Sequence, residues 1–226
     1  MFSPKDHLYK ETKMIKLGKL KLKREYDKFI RWAKDEVGIT ILNISYRKIR
    51  VGKIETRPGL QFILELSRDY NLVVNPQTRR EKGEYQLLFS SKFAEIVREN
   101  HIAGYEGENL NQAIISYAVF SKVAITESIE KITRSSLNQI KEKFAINKLW
   151  EIMPNGDQVI LFYKKNSDFL TNKENGINRQ IEEVIMGLVS KNDEFGYVNR
   201  ASVSILYDSK ENFERHFDGK WHYYFR

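Results

Sequence analysis

At 226 residues, with 41% hydrophobic and 12% aromatic side chains, the chain is long enough to bury one large core or two small ones, and its composition is not that of a disordered protein. It has no cysteine, which excludes a disulfide framework, a thiolate metal site and a cysteine nucleophile. The net charge of +8 is uneven: residues 1–53 hold 15 Lys and Arg against 6 Asp and Glu, a balance of +9, and the remainder holds 23 against 24, a balance of −1. The high pI therefore describes the N-terminal quarter and not a uniformly basic domain. No apolar run approaches the roughly 18 residues needed to span a bilayer. The start, Met1-Phe2-Ser3-Pro4-Lys5-Asp6, lacks the charged-then-apolar order of a signal peptide, so a cytoplasmic protein is expected.

Residues 1–23 read as a basic leader. Within it, Leu17-Gly18-Lys19-Leu20-Lys21-Leu22-Lys23 alternates apolar and basic side chains at strand period. Two readings stay open: an edge strand whose lysines deter pairing, or an electrostatic arm that meets phosphate or an acidic partner.

From Arg24 to Val37, Tyr26, Phe29, Ile30, Ala33 and Val37 recur at helical spacing, and Gly38 supplies a stop. Strands are expected over Ile39–Ile49, with Ile39, Ile41 and Ile44 facing inward, and over Leu60–Leu66. Ser67–Gly83 reads as a long polar loop carrying the turn signal Asn75-Pro76. A helix over Leu87–Asn100, a glycine-bearing loop, a strand over Ala113–Val119 and a helix near Thr126–Arg134 complete a first unit, residues 24–134.

The second unit, residues 135–226, repeats that order. A helix over Leu137–Phe144 leads to strands Leu149–Met153 and Val159–Tyr163, joined by a tight turn at Pro154-Asn155-Gly156-Asp157. A polar loop over Lys164–Gly176, a helix over Ile177–Val189, a strand over Ala201–Tyr207, a helix over Lys210–Phe217 and a final aromatic strand Trp221–Phe225 follow. Phe89–Lys122 superposes without a gap on Ile177–Lys210, so that Phe89, Phe93, Ile96 and Val97 meet Ile177, Ile181, Val184 and Ile185. The expected fold class is α+β: two tandem copies of a helix-strand-strand-helix-strand-helix unit, each an antiparallel sheet covered by helices.

No catalytic constellation is expected, and no metal or cofactor. His216, Lys220 and His222 are the one set suited to acid–base cleavage of RNA, with ordinary surface histidines as the alternative. The two glycines of Gly104-Tyr105-Glu106-Gly107-Glu108 come with two acids that would repel phosphate, which favours a turn. Aromatic and basic side chains interleave at Tyr163-Lys164-Lys165 and over Lys220–Arg226, a pattern that serves either base stacking or protein contact. The residues singled out for partner binding are Lys19, Lys21, Lys23, Tyr163, Lys164, Trp221 and Tyr224.

Trp150-Glu151-Ile152-Met153-Pro154-Asn155-Gly156-Asp157, leading into Val159–Tyr163, forms a hairpin that a polar loop, a helix and the strand Ala201–Asp208 continue. This layout resembles the small α+β immunity proteins of bacterial polymorphic-toxin systems, the YezG-like kind, over residues 135–226, with a fainter echo in residues 24–134. The resemblance implies a non-enzymatic inhibitor that masks the active site of a cognate toxin. An acidic toxin surface would suit the basic leader. The alternative is a nucleic-acid-binding protein that uses its basic N-terminal segment.

Overall fold

The computed structural model describes residues 2–52 and 55–225. The chain divides into two compact units, Met1–Ser121 and Lys122–Arg226. Each is α+β and contains one three-stranded sheet. The division falls ahead of the expected boundary at Arg134, and residues 1–23 belong to the first unit.

The first unit opens with α1 (His7–Lys16), capped by the Asp6 carboxylate, which accepts the Leu8 N–H at 2.8 Å. In α2 (Arg24–Trp32), Tyr26 and Phe29 face inward, and Ala33 joins them from the π turn Ala33–Val37. Gly38, at φ +75°, takes the left-handed conformation that ends this element. β1 (Ile41–Val51) and β2 (Glu55–Leu64) pair antiparallel, and α3 (Ser67–Val73) and α4 (Gly83–Glu99) then carry the chain to β3 (Ile114–Val119). Two intervening helices return the chain to the starting end, so β3 runs parallel to β2 and the sheet is mixed. An all-antiparallel sheet was expected.

Alternation along the strands sends Ile41, Ile44, Leu60, Phe62 and Leu64 to one face, where Tyr26, Phe29, Phe89 and Phe93 pack on them. The opposite face, which carries Asn43 and the buried Ile63, meets α1 at β1. There the Asn43 amide donates to the Thr12 hydroxyl at 3.2 Å, and Lys16 pairs with Glu65 at 2.7 Å. Tyr9 of α1 is fully buried and stacks on Phe120 at 5.1 Å. The leader is thus a docked helix. Leu17–Lys23 is turn and coil, not a strand, because Gly18 (φ +69°) breaks the helix and the lysine-bearing residues pair with no strand.

The second unit begins within α5 (Phe120–Glu130), which follows β3 directly and starts earlier than the expected helix near Thr126. α6 (Arg134–Lys143) is capped by Thr133, whose hydroxyl accepts the Ser136 N–H at 3.1 Å. Leu137, Ile140 and Phe144 repeat the spacing of Tyr26, Phe29 and Ala33, and Lys148 (φ +64°) takes the place of Gly38. β4 (Leu149–Asn155) and β5 (Gln158–Tyr163) form the expected hairpin, with Gly156 at φ +62°. α7 (Asn166–Glu174) and α8 (Ile177–Lys191) cross to β6 (Ser204–Ser209), again parallel to its neighbour. α9 (Lys210–Phe217) and α10 (Trp221–Tyr224) close the unit.

Three expectations change here. Both long loops contain a helix, α3 and α7, each started by an aspartate at its third position: Asp69 accepts the Leu66 N–H and Asp168 the Lys165 N–H. The C-terminal aromatic run is a helix, because Asp218 and Gly219 both take positive φ and the Lys220 carbonyl accepts from Tyr223 and Tyr224. The repeat is real as an architecture, but its register differs. Phe89, Phe93 and Val97 correspond to Ile181, Ile185 and Val189, one helical turn on from the ungapped match, and the helices end at Asn100 and Asn192. β6 begins two residues closer to the end of its helix than β3 does in that alignment, which only an indel between helix and strand provides.

Candidate interaction surfaces

The second face of the β4–β6 sheet is aromatic. Ile160 and Phe162 point to it from β5, and Phe213 of α9 covers them together with Trp150, Met153, Phe217, Trp221 and Tyr224. Residues 221 and 224 lie one turn apart on α10, so both rings reach Phe162, at 5.2 Å in each case. Trp221 also stacks on Phe213 at 4.1 Å and on Trp150 at 6.0 Å. The phenol of Tyr224 donates to Asp208 at 2.6 Å, and burial, followed by that hydrogen bond, pushes its pKa up. Asp208 also accepts from the Asn212 amide, so α9 and α10 are latched to one carboxylate.

The outer side of this layer remains open. Trp150, Met153, Trp221 and Tyr224 are half-buried, Tyr223 and Phe225 are 37% exposed, and Leu206 on β6 is 43% exposed. Lys210 sits over the Trp150 ring at 5.5 Å and Lys220 over Tyr223 at 5.3 Å. Half-buried tryptophan, tyrosine and methionine ringed by charge is the composition of a protein-contact patch. Sequence reasoning named Trp221 and Tyr224 but missed Met153 and Leu206. Their signal was the alternation of β4 and β6, which places both on the same side as Phe162.

Tyr163 is a correction. It is fully buried, and its hydroxyl donates to the Asn178 side chain at 2.6 Å, so it is a core residue and meets no partner. Burial raises its pKa. Tyr163→Phe leaves the Asn178 oxygen without its donor and is expected to lower stability by about 1–3 kcal/mol in urea denaturation. Lys164, the next residue, has an exposed side chain at the end of β5.

In the first unit, Lys19, Lys21 and Lys23 are all exposed between α1 and α2. Among the described residues none of them forms an ion pair, and Lys23 lies over the Tyr26 ring at 5.3 Å. An open cleft of about 520 Å³ lies between α4 and the following loop, lined among others by Arg98, His101, Tyr105 and Glu106. Tyr105 is buried and donates to Glu25 at 3.3 Å, and burial raises its pKa strongly. The Glu106 carboxylate takes its own N–H and that of Gly104, which holds its pKa down. The Gly104–Glu108 loop is therefore a turn whose amide is already used by an acid, as its sequence suggested.

His216 and His222 are exposed, one in the last turn of α9 and the other in α10, and among the described residues neither imidazole makes a hydrogen bond. Nor do those residues contain a group of three or more His, Asp or Glu able to hold a metal ion, or a helix long and apolar enough to cross a membrane. Compared with protein-family models, with curated proteins and with solved structures, the chain matches none.

Proposed function

We propose that the chain is a non-enzymatic protein-binding protein, and specifically an immunity protein that covers a cognate bacterial toxin. The observation that carries this reading is the half-open aromatic layer of the second unit, where Trp150, Met153, Leu206, Trp221 and Phe225 leave apolar surface exposed above a rigid sheet. Large rings held in place in the free protein lose little freedom on binding, which favours a tight complex. The test is capture from the native host with the tagged chain, with and without nuclease, followed by mass spectrometry. A stoichiometric protein that survives nuclease supports the reading. Nucleic acid recovered alone overturns it.

One observation favours a second reading. Lys19, Lys21 and Lys23 are exposed and free of ion pairs among the described residues, as phosphate-contacting side chains must be. Replacing all three with glutamate is expected to leave the unfolding midpoint unchanged, since none is buried. If these lysines hold nucleic acid, the same variant loses duplex binding, and the wild-type affinity falls steeply between low and physiological salt. Salt-insensitive or absent duplex binding removes that reading.

A further inference from the structure

The two units differ at the outer edge of their third strand. In the first, the Gln86 carboxamide of α4 lies along β3: its oxygen accepts the Ile115 N–H at 3.1 Å and its nitrogen donates to the Ala113 carbonyl. One side chain thus takes up the outward groups at the start of that edge, as the first residues of a fourth strand would. In α8 the same position, three residues before Ile181, is Asn178. Its amide is turned inward to the Tyr163 hydroxyl and the Phe169 carbonyl. Nothing among the described residues does for β6 what Gln86 does for β3.

Among the described residues the outer edge of β6 is therefore unpaired ahead of Ser209, whose N–H is taken by Asp208. The Ser204 N–H goes to Asp157 on the β5 side at 3.3 Å, so alternation directs the backbone groups of Ile205 and Tyr207 outward. Beside them runs a groove of about 130 Å³ between α8 and β6, lined by Glu182, Met186, Arg200, Val203 and Ile205. Glu182 accepts from both Arg200 and the Tyr207 hydroxyl, so the charges at the rim are already paired with each other. On the other face of the edge stands Leu206.

We propose that β6 is a docking edge for an extended, uncharged segment of a partner protein, which adds as a fourth strand with apolar side chains over the Met186–Val203–Ile205 groove and beside Leu206. Outward N–H and C=O groups that recur every second residue, about 6.5–7 Å apart, match an extended backbone, and neither a helix nor a compact ligand reproduces that spacing. The internally paired rim selects against a charged strand, and the half-buried Met186 and Ile205 on one side of the edge and the exposed Leu206 on the other select for an apolar one. This proposal rests on the protein-binding reading above and names its mode of contact.

The test uses the full chain in two steps. Amide exchange in the free protein comes first: the Ile205 and Tyr207 amides are expected to exchange far faster than that of Ile115. Slow exchange at both would show the edge already satisfied and overturn the proposal. The chain is then panned against a displayed library of random linear peptides. Selected peptides are expected to be apolar and uncharged, to protect the Ile205 and Tyr207 amides, and to bind Leu206→Lys and Ile205→Pro at least about ten-fold more weakly. Leu206→Lys changes an exposed side chain and keeps the argument testable if the proline variant does not fold. Peptides that bind without protecting those amides overturn it, as does a library that yields none. So does a concentration-dependent dimer abolished by Leu206→Lys, which would assign the edge to a second copy of the chain. In each of these cases capture of a protein from the host can still succeed, so the two readings fail separately.

Discussion

Phe29→Ala is expected to lower the stability of the first unit by about 3–5 kcal/mol. The ring is fully buried, with centroids of Phe62 at 5.2 Å, Trp32 at 5.4 Å, Phe93 at 5.7 Å and Phe89 at 6.0 Å. It is the place where α2, α4 and the sheet meet, and alanine leaves a cavity walled by rigid rings that cannot collapse into it. Amide exchange of β1 and β2 under mild urea reads this unit by itself. A loss below about 1 kcal/mol would mean that the helices hold the sheet by other contacts.

Phe162→Ala is the counterpart in the second unit, with a similar loss of about 3–5 kcal/mol. Its ring carries Trp221 and Tyr224, each at 5.2 Å, so its removal also takes away the floor on which α10 rests. Limited proteolysis should then cut beyond Phe217 in the variant and not in the wild type. Partner capture through the aromatic layer should fall with it. Resistance to cleavage would show that the Tyr224–Asp208 hydrogen bond and the stacking of Trp221 on Phe213 secure the helix without Phe162.

Most of the elements were legible because their apolar spacing is strong. Tyr26, Phe29 and Ala33, or Leu137, Ile140 and Phe144, can lie on one face only in a helix. What spacing leaves open is register: sliding α4 against α8 by one turn keeps every apolar residue on the same face, so Phe89 matches Ile177 or Ile181 equally well by pattern. Burial separates the two, since Ile181 is fully buried and Ile177 is not. α3 and α7 were missed because they are short and polar, and their start signals, Asp69 and Asp168, also suit turns. Tyr163 was misplaced although its signal was present. Val159-Ile160-Leu161-Phe162-Tyr163 is an unbroken apolar run, the mark of a central strand covered on both faces. The difference between the β3 and β6 edges was not legible at all, because Gln86 and Asn178 differ by one methylene and only the folded chain shows that they turn opposite ways.

The helices that cover the second face of each sheet lie on opposite sides of it in chain order. α1 precedes β1, whereas α9 and α10 follow β6. On the ribosome the first sheet therefore meets its cover as soon as its own strands emerge. The second stays uncovered until Tyr224 has been translated and has cleared the exit tunnel, with Ile160 and Phe162 open to any chaperone or early partner in the interval.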